Sequence, residues 1–427
     1  MTKHTSLPGF RDFYPDEMAR RNQIFAAWRD VARRYGFEEY DGPPLESLDL
    51  FIEKSGPEIA HQLFNFTDKG GREVALRPEM TPTFVRMLGA KIKGLPRPVR
   101  WFSTPQLFRY EKQQRGRLRE HFQLNMDIVG ETSVLADADL LAAALDVLRT
   151  LGLSASDVVA RYSDRRLLHH ALADLGVADE KMDVAYNVID KVERDPREVC
   201  LRRLEEIGLT RGNANAAIDL TARSLEEILA RYGSNPRFET VLADLNRYRA
   251  ALASLGFGDF IQFDMKIVRG LAYYTGIVFE IFDRKGELRA ICGGGRYDKL
   301  FSALAGIDIP ALGFGFGDVV LGELLKERGI ARPAAGESDF VVLAVDEGSE
   351  SAALQIVSRL RSAGRSVIFP FVVGSVGKSL KAAAAAGARR AIVVGPREIA
   401  EGSFSVRDLR SSVQEKRSID ELLTLSS

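Results

Sequence analysis

The sequence is poor in cysteine and carries no excess of charge. Only Cys200 and Cys292 occur among 427 residues, which is too few for a disulfide framework or a cysteine-based metal site in a chain of this size. The 59 Lys and Arg residues balance 59 Asp and Glu residues. Proteins that bind nucleic acid by bulk electrostatics usually carry a basic excess, so this balance argues against that class while leaving room for local basic loops.

Long apolar runs are also missing. No run approaches the roughly 18 apolar residues that could span a bilayer, and the N-terminal region becomes charged before a signal-peptide stretch could form. The sequence therefore predicts a cytoplasmic protein without a membrane segment. Its 45% hydrophobic and 28% charged residues are typical of globular proteins. At about 150 residues per domain, its length indicates two or three domains.

Several common catalytic motifs are absent. There is no G-x-S-x-G elbow, no Walker lysine and no G-x-G-x-x-G in a strand-helix-strand unit. None of the five histidines pairs with another at the i, i+4 spacing, with an intervening glutamate, that a helical zinc site requires. The sequence therefore predicts no metal site built from its own side chains.

Hydrophobic periodicity predicts three structural parts. Residues 1–164 and 256–330 mix amphipathic helices with strands and form a split core. Residues 165–255 place Leu, Ala, Arg and Glu at helical spacing, which predicts a helical insertion domain. After a linker, residues 337–427 alternate strands with helices, which predicts an α/β domain with a mainly parallel sheet.

A basic loop between two predicted strands is the first candidate ligand site. Within residues 108–120 the acidic residues are Glu111 and Glu120. The cations are Arg109, Lys112, Arg115, Arg117 and Arg119. Guanidinium groups match phosphate oxygens two at a time, so this loop could clamp a polyphosphate. A solvated basic hairpin would explain the same charges.

Arg269 and the glycine runs that follow it form the second group of candidates. Arg269 precedes the aromatic pair Tyr273 and Tyr274, which could fix a polar ligand, although core tyrosines at a strand turn would give the same pattern. Strands at 277–282 and 287–292 are predicted to form a hairpin through a turn at 283–286. The glycines at 293–295 would then allow close approach of a ligand, and those at 313–317 precede a helix N-terminus that can receive phosphate.

Taken in this order, these segments resemble those of the class II histidyl-tRNA synthetases, and the resemblance covers essentially the whole chain. Residues 8–12 are similar to the family's opening signature and residues 35–46 to the first class II motif, which implies a homodimer. Residues 269–274 match the histidine-specific signature, which is the most specific signal. The resemblance implies an α+β fold: an antiparallel class II sheet with a helical insertion, and a C-terminal α/β domain that resembles an anticodon-binding domain.

The resemblance also implies roles for individual residues. Arg109 and Arg269 would be catalytic at the α-phosphate of ATP, Glu111 would lie near the adenine, and Arg117 toward the pyrophosphate. Glu79 and Thr81 would hold the α-ammonium of histidine. The full histidine-binding set is Glu79, Thr81, Gln123, Asp127, Arg269, Tyr273 and Tyr274, and the ATP-binding set is Arg109, Glu111 and Arg117. Mg²⁺ would bridge the phosphates.

The implied reaction joins histidine and ATP into histidyl-adenylate and then transfers the histidyl group to the 3′ end of tRNA(His). These residue types suit that chemistry. A carboxylate and an α-phosphate repel each other, and preorganised arginines offset the repulsion. A neutral imidazole both donates and accepts hydrogen bonds, so a carboxylate with a tyrosine hydroxyl can read both ring nitrogens.

Some positions depart from the family pattern. The order His121-Phe122 is reversed, Ala272 replaces an acidic residue, and Asp127 stands where Glu is frequent. Val320 occupies the position of the third-motif arginine, so the sequence leaves open what takes the place of that cation.

Two other functions remain open at this stage. One is a non-catalytic, synthetase-like regulatory subunit of ATP phosphoribosyltransferase in histidine biosynthesis, and the weaker one is a tRNA-sensing domain from a larger regulator. The C-terminal domain and the retained arginines favour the enzyme over the first.

Overall fold

The computed structural model describes residues 4–110, 114, 116–269, 273–330 and 338–424. Glu111, expected near the adenine, lies outside these residues, as does Ala272. The chain divides into two units: residues 338–424, with which residues 14–19 are grouped, and the remainder. Within the described ranges, no helix is long and apolar enough to cross a membrane.

The first unit mixes strands and helices. Its strands are β1 (Glu38–Glu39), β2 (Leu45–Ser47), β3 (Asn65–Thr67), β4 (Glu73–Leu76), β5 (Val99–Ser103), β6 (Gln106–Phe108), β7 (Glu120–Val129), β8 (Val158–Asp164), β9 (Ile261–Phe263), β10 (Ile277–Asp283), β11 (Cys292–Arg296) and β12 (Ala311–Gly317). Its helices are α1 (Pro15–Arg34), α2 (Leu48–Ser55), α3 (Thr81–Gly89), α4 (Val134–Thr150), α5 (Arg165–Asp174), α6 (Met182–Asp190), α7 (Arg197–Glu206), α8 (Arg211–Leu220), α9 (Leu225–Tyr232), α10 (Glu239–Ser254), α11 (Leu300–Ala305) and α12 (Asp318–Glu327).

A large sheet organises this unit. Its order is β1-β5-β7-β12-β11-β10-β8-β9, with β6 also paired to β7. The pairs from β5 to β8 are antiparallel, and only the outer pairs, β1 with β5 and β8 with β9, are parallel. The predicted antiparallel core and the α+β class are therefore confirmed. A smaller sheet, β2-β4-β3, carries the segment that leads to Glu79.

Alternating side chains give the large sheet two different faces. Along β12, Phe314 and Phe316 enter the apolar core, so the intervening glycines face the other way. β7 shows the same alternation, with Leu124, Met126 and Ile128 in the core. Helix α4 and the fully buried Trp28 of α1 belong to that core. The opposite face carries the glycines and several polar side chains, and also Val129, Val278 and Ala311, which belong to a second apolar cluster.

Helices α5 to α10 occupy the chain between β8 and β9. Their apolar residues, including the fully buried Ile189 and Tyr248, belong to the same core cluster as the sheet. Side-chain caps begin several of these helices; at α9, for example, Ser224 and Glu227 form a reciprocal capping box. The boundaries of a separate insertion domain at 165–255 stay a prediction.

The second unit is a five-stranded sheet with helices. Its strands are β13 (Phe340–Ala344), β14 (Val367–Ile368), β15 (Arg390–Val394), β16 (Phe404–Asp408) and β17 (Gln414–Arg417), in the order β14-β13-β15-β16-β17. Its helices are α13 (Glu350–Ser362), α14 (Val376–Ala385), α15 (Pro396–Glu401) and α16 (Ile419–Thr424). The parallel pairs of this sheet are β13 with β14 and β13 with β15. The sheet is therefore mixed rather than mainly parallel, because β16 and β17 return as antiparallel neighbours.

The predicted hairpin at 277–292 is only partly correct. β10 ends at Asp283, but residues 287–291 do not form the partner strand. The partner is β11, which consists largely of the glycine run at 293–295. A side chain at Gly294 would meet the carbonyl oxygen of Gly313 and the Phe314 side chain, so glycine is needed inside the sheet itself.

Candidate active site

Glycines on three neighbouring positions form the floor of the site. Gly293 of β11 pairs with Gly315 of β12, and Gly313 of β12 pairs with Asp127 of β7. A Cβ atom at Gly313 would collide with the Asp127 carboxylate, and one at Gly315 would lie 2.8 Å from the Gln123 side chain. A Cβ atom at Gly293 would overlap the guanidinium of Arg269. The bare strands therefore leave room for large polar side chains and for a ligand above them.

A small cavity of about 100 Å³ lies on this floor. It brings together every residue of the expected histidine-binding set, from three separate segments of the chain. The members are Glu79, Thr81, Gln123, Asp127, Arg269, Tyr273 and Tyr274. Arg109, Asn125 and Tyr297 also line the small cavity.

Glu79 is held at the wall of the small cavity by a buried lysine. Lys54, on α2, forms an ion pair with the Glu79 carboxylate, and its ammonium lies 4.7 Å from the centre of the Tyr273 ring. Burial alone would raise the pKa of Glu79, but the charges of Lys54 and Arg109 hold that pKa below its usual range. Glu79 is therefore an anion, suited to an incoming cation.

Asp127 lies in a different environment. It is buried, and the Tyr297 hydroxyl donates a hydrogen bond to Oδ1. Burial raises the pKa of Asp127 to about 7, although the Tyr297 hydrogen bond and the charge of Lys54 act in the opposite direction. The small cavity thus holds two carboxyl groups, one firmly ionised and the other poised near neutrality.

A larger cavity of about 760 Å³ adjoins the small one. Arg109, Gln123 and Arg269 line both cavities. Arg117, on the loop after β6, lines the large cavity. Arg109 Nε donates to the Pro78 carbonyl oxygen at 3.1 Å, which ties this arginine to the segment that carries Glu79. Arg109 and Arg269 therefore lie at the boundary of the two cavities, and Arg117 lies in the larger one.

Arg269 is held at the boundary in an unusual backbone conformation. Its φ of 53° lies in the left-handed region, which non-glycine residues seldom adopt and which is concentrated at functional sites. Nη1 donates to the Phe279 carbonyl oxygen at 3.4 Å and lies 3.7 Å from a Glu280 carboxylate oxygen. Nε is buried and has no hydrogen-bond partner among the described groups. A bound anion could satisfy that donor.

The reversed pair His121-Phe122 places its side chains on opposite sides of β7. His121 lines the large cavity, whereas Phe122 packs edge-on against Phe13 and Phe25. Burial, reinforced by Arg109, Arg11 and Arg117, lowers the pKa of His121 to about 3. The imidazole is therefore neutral and adds no charge to that of the arginines that line the cavity.

The start of β7 is fixed by an ionic network. Arg11 donates to Glu120 at 2.6 Å and to Asp318 at 2.9 Å, and Asp318 accepts from the Phe122 amide at 2.8 Å. Asp318 is the first residue of α12, at the helix N-terminus that the sequence offered as a phosphate site, and its carboxylate is engaged by Arg11 and by the Phe122 amide. The preceding glycines instead belong to the floor strand.

Sequence reasoning missed three residues of the small cavity region: Lys54, Asn125 and Tyr297. Lys54 belongs to a short amphipathic helix and shows no local signal. Asn125 and Tyr297 did have a local signal. Asn125 lies between Gln123 and Asp127 and alternates with core residues, and Tyr297 directly follows β11. Within the described ranges, no group of three or more His, Cys, Asp or Glu could hold a metal.

Comparison with known proteins gives consistent matches. The family model described as histidyl-tRNA synthetase matches residues 9–317, and one described as an anticodon binding domain matches residues 339–425. A histidine--tRNA ligase of Opitutus terrae is 44% identical over 97% of this chain and 96% of its own length. The chloroplastic/mitochondrial histidine--tRNA ligase of Arabidopsis thaliana is 42% identical over 95% of this chain and 83% of its own length. The crystal structure of a histidyl-tRNA synthetase from Nostoc sp. PCC 7120 superposes with a TM-score of 0.84, covers 99% of each chain and shares 24% identity, which supports the fold.

Proposed function

Because this chain belongs to the histidyl-tRNA synthetase family, we propose that the small cavity binds histidine and the large cavity binds ATP. The chain is a class II aminoacyl-tRNA synthetase that uses ATP to activate histidine and attaches the histidyl group to tRNA. The observation that carries the assignment of the cavities is their shared boundary. Arg109 and Arg269 line both, so a histidine carboxylate and an ATP α-phosphate would meet between them.

The proposed roles in the small cavity follow from charge. Ionised Glu79, with the Thr81 hydroxyl, holds the α-ammonium of histidine. Asp127 and Tyr274 read the imidazole, one as acceptor and the other through its hydroxyl, while Gln123 and Tyr273 complete the enclosure. An analogue without a ring nitrogen would leave one of these buried polar groups unpaired, which is the basis of discrimination.

The proposed chemistry needs positioning and charge rather than a covalent nucleophile. The histidine carboxylate attacks the α-phosphate, a new C–O–P linkage forms, and pyrophosphate leaves with the bonding electrons. Arg109 and Arg269 offset the repulsion between the two anions and stabilise the charge that develops at the α-phosphate. Arg117 then contacts the pyrophosphate end. Glu111 is proposed near the adenine by family resemblance alone.

Mg²⁺ is proposed as the counter-ion of ATP. Glu280 lines the large cavity, and its carboxylate is the kind of hard oxygen donor that Mg²⁺ prefers. Mg²⁺ commonly takes one or two carboxylates together with substrate phosphates, so a dedicated cage of protein ligands is not required. When bound with ATP, the ion neutralises phosphate charge.

The second unit is proposed to contact the anticodon region of tRNA(His). Phe371 follows β14 and is 97% exposed, and Val372 beside it is 79% exposed. Lys378 and Lys381 follow on α14. An exposed aromatic ring offers a base a surface to stack on, and the lysines that follow it in the chain offer charges for phosphates.

Three organisational features complete the proposal. A homodimer is supported by the position of residues 35–46, which include β1 at an edge of the large sheet that a second copy could cover. A cytoplasmic location is supported by the buried, unbridged Cys200 and Cys292. Residues 1–164 with 256–330, 165–255 and 337–427 are proposed as catalytic core, insertion and anticodon-binding domains.

The regulatory-subunit alternative is less supported. The curated relatives named above are histidine--tRNA ligases that match over nearly the whole chain. A histidine sensor would also have no need of an α-phosphate clamp. Histidine binding without any pyrophosphate exchange would favour the regulator.

Histidine-dependent ATP-pyrophosphate exchange tests the proposal with Arg269→Ala. Loss of a preorganised donor to the developing charge should lower exchange by about 10²-fold to 10³-fold. Arg247→Ala is the matched control, because Arg247 is an exposed arginine on α10. Size-exclusion chromatography with light scattering should show both variants in the same oligomeric state as the wild type. Wild-type exchange by Arg269→Ala would refute the assignment of the cavity boundary.

A further inference from the structure

The large cavity contains an arginine that the expected site does not use. Arg289 lies in the segment between β10 and β11 and lines this cavity together with Val320 and Gly116. These three residues are neighbours: a Cβ atom at Gly116 would lie 3.3 Å from Val320 Cγ2 and 3.7 Å from Arg289 Cδ. Gly116 has a φ of 73° and no side chain, so the space between the other two remains open.

Within the part of the chain that the structure describes, the guanidinium of Arg289 has only a neutral partner. Nη1 donates to the amide oxygen of Gln114 at 3.1 Å, and the ion pairs among the described residues do not include Arg289. Gln114 forms a bridge with Arg117, so this hydrogen bond attaches Arg289 to the loop that carries an expected phosphate contact. The charge of Arg289 is thus available to a ligand in the cavity.

Other cations at the edge of the large cavity differ from Arg289 in this respect. Each already faces a carboxylate: Lys266 and Arg161 both pair with Glu193, and Arg194 pairs with Asp190 at 3.4 Å. A new anion would have to compete with those carboxylates. At Arg289 it would replace only a hydrogen bond to an amide, which costs less.

We propose that Arg289 is a further ATP-contacting residue, which donates to the triphosphate from the segment between β10 and β11. It supplies a cation beside Val320, the residue that occupies the position of the third-motif arginine. This inference rests on the proposed function, because it takes the large cavity as the ATP site. A guanidinium beside the Arg117 loop suits phosphate oxygens, which it can bind two at a time.

Equilibrium binding to the full-length chain tests this contact directly. Isothermal titration with ATP and, separately, with adenosine would compare the wild type, Arg289→Ala, Arg289→Lys and Lys285→Ala. Lys285 is the control, because it is an exposed cation at the turn of the same segment and does not line the cavity. Arg289→Ala should weaken ATP binding by about 10-fold to 100-fold, the effect of losing charge-assisted hydrogen bonds. Adenosine binding should be unchanged, Arg289→Lys should retain part of the ATP affinity, and Lys285→Ala should resemble the wild type.

A second variant tests the relation to position 320. Val320→Arg in the Arg289→Ala background places a guanidinium on the other side of Gly116 and should recover part of the lost ATP affinity. Wild-type ATP affinity in Arg289→Ala, or an equal loss for ATP and adenosine, would overturn the phosphate contact while leaving the ATP site in place. Failure of the wild-type chain itself to bind ATP would instead overturn the proposed function, and this inference with it.

Discussion

The hydrogen bond from Tyr297 to Asp127 offers a sharp test of how the imidazole is recognised. Tyr297→Phe removes only the hydroxyl and preserves the ring, which packs edge-on against Tyr273 at a centroid distance of 5.9 Å. The hydrogen bond stabilises the ionised form of Asp127, whose pKa is about 7. Without that bond, burial is opposed only by the charge of Lys54, so the pKa of Asp127 should rise.

The size of the effect follows from the strength of the bond. A hydrogen bond to a charged group contributes about 1.5–3 kcal/mol, which corresponds to roughly 1–2 pKa units. At pH 7 about half of Asp127 is ionised in the wild type, whereas about 1–10% would be ionised in the variant. If ionised Asp127 accepts a hydrogen bond from the imidazole, KM for histidine should rise about 5-fold to 50-fold at pH 7.

The pH dependence separates this explanation from simple damage to the cavity. At pH 9 Asp127 is almost fully ionised in the wild type and at least about half ionised in the variant, so the two KM values should differ by about 2-fold or less. Histidine-dependent exchange measured from pH 6.5 to 9 gives both values. A KM ratio that is constant across this range, or unchanged KM at pH 7, would refute the role of ionised Asp127.

Two further predictions concern the stability of the fold and the second unit. Asp127→Asn should stabilise the fold while weakening histidine binding. Folding raises the pKa of Asp127 from 3.8 to about 7. The free energy of unfolding therefore falls as the pH rises through this interval, by up to about 4 kcal/mol. The melting temperature of Asp127→Asn should therefore exceed that of the wild type at pH 8, with a smaller difference at pH 4.5, and equal differences would contradict the raised pKa. Phe371→Ala should raise KM for tRNA in aminoacylation by about 5-fold to 100-fold without affecting exchange; unchanged KM would exclude base stacking on this ring.

Local patterns predicted much of the secondary structure. The helical spacing predicted for residues 165–255 corresponds to helices α5 to α10, and the strand-helix alternation predicted for residues 337–427 corresponds to the order β13, α13, β14, α14, β15, α15 and β16. These elements follow from periodicity and composition, which act over a few residues. The same reasoning misplaced the partner of β10, because glycine has low strand propensity and residues 287–291 look more like a strand than the run that forms β11.

The seven expected histidine-binding residues could be named from the sequence because they lie in short, specific motifs. Their convergence could not be read there. Glu79 follows β4 of the small sheet, Asp127 lies on β7 of the large sheet, and Arg269 follows β9, so only the topology brings them to one cavity. Pairing between strands far apart in the chain carries information that no local window contains.

By itself, then, the sequence determined the residue types, the alternation that separates the core face from the glycine face, and the family. The tertiary structure decided the electrostatic state of the site. Lys54 keeps Glu79 ionised and burial brings Asp127 near neutrality, although both are ordinary carboxylates in the sequence. It also decided that Arg289 lies beside Val320. The physical reason is that pKa values and ligand contacts depend on which groups are buried together, and burial is a property of the folded chain.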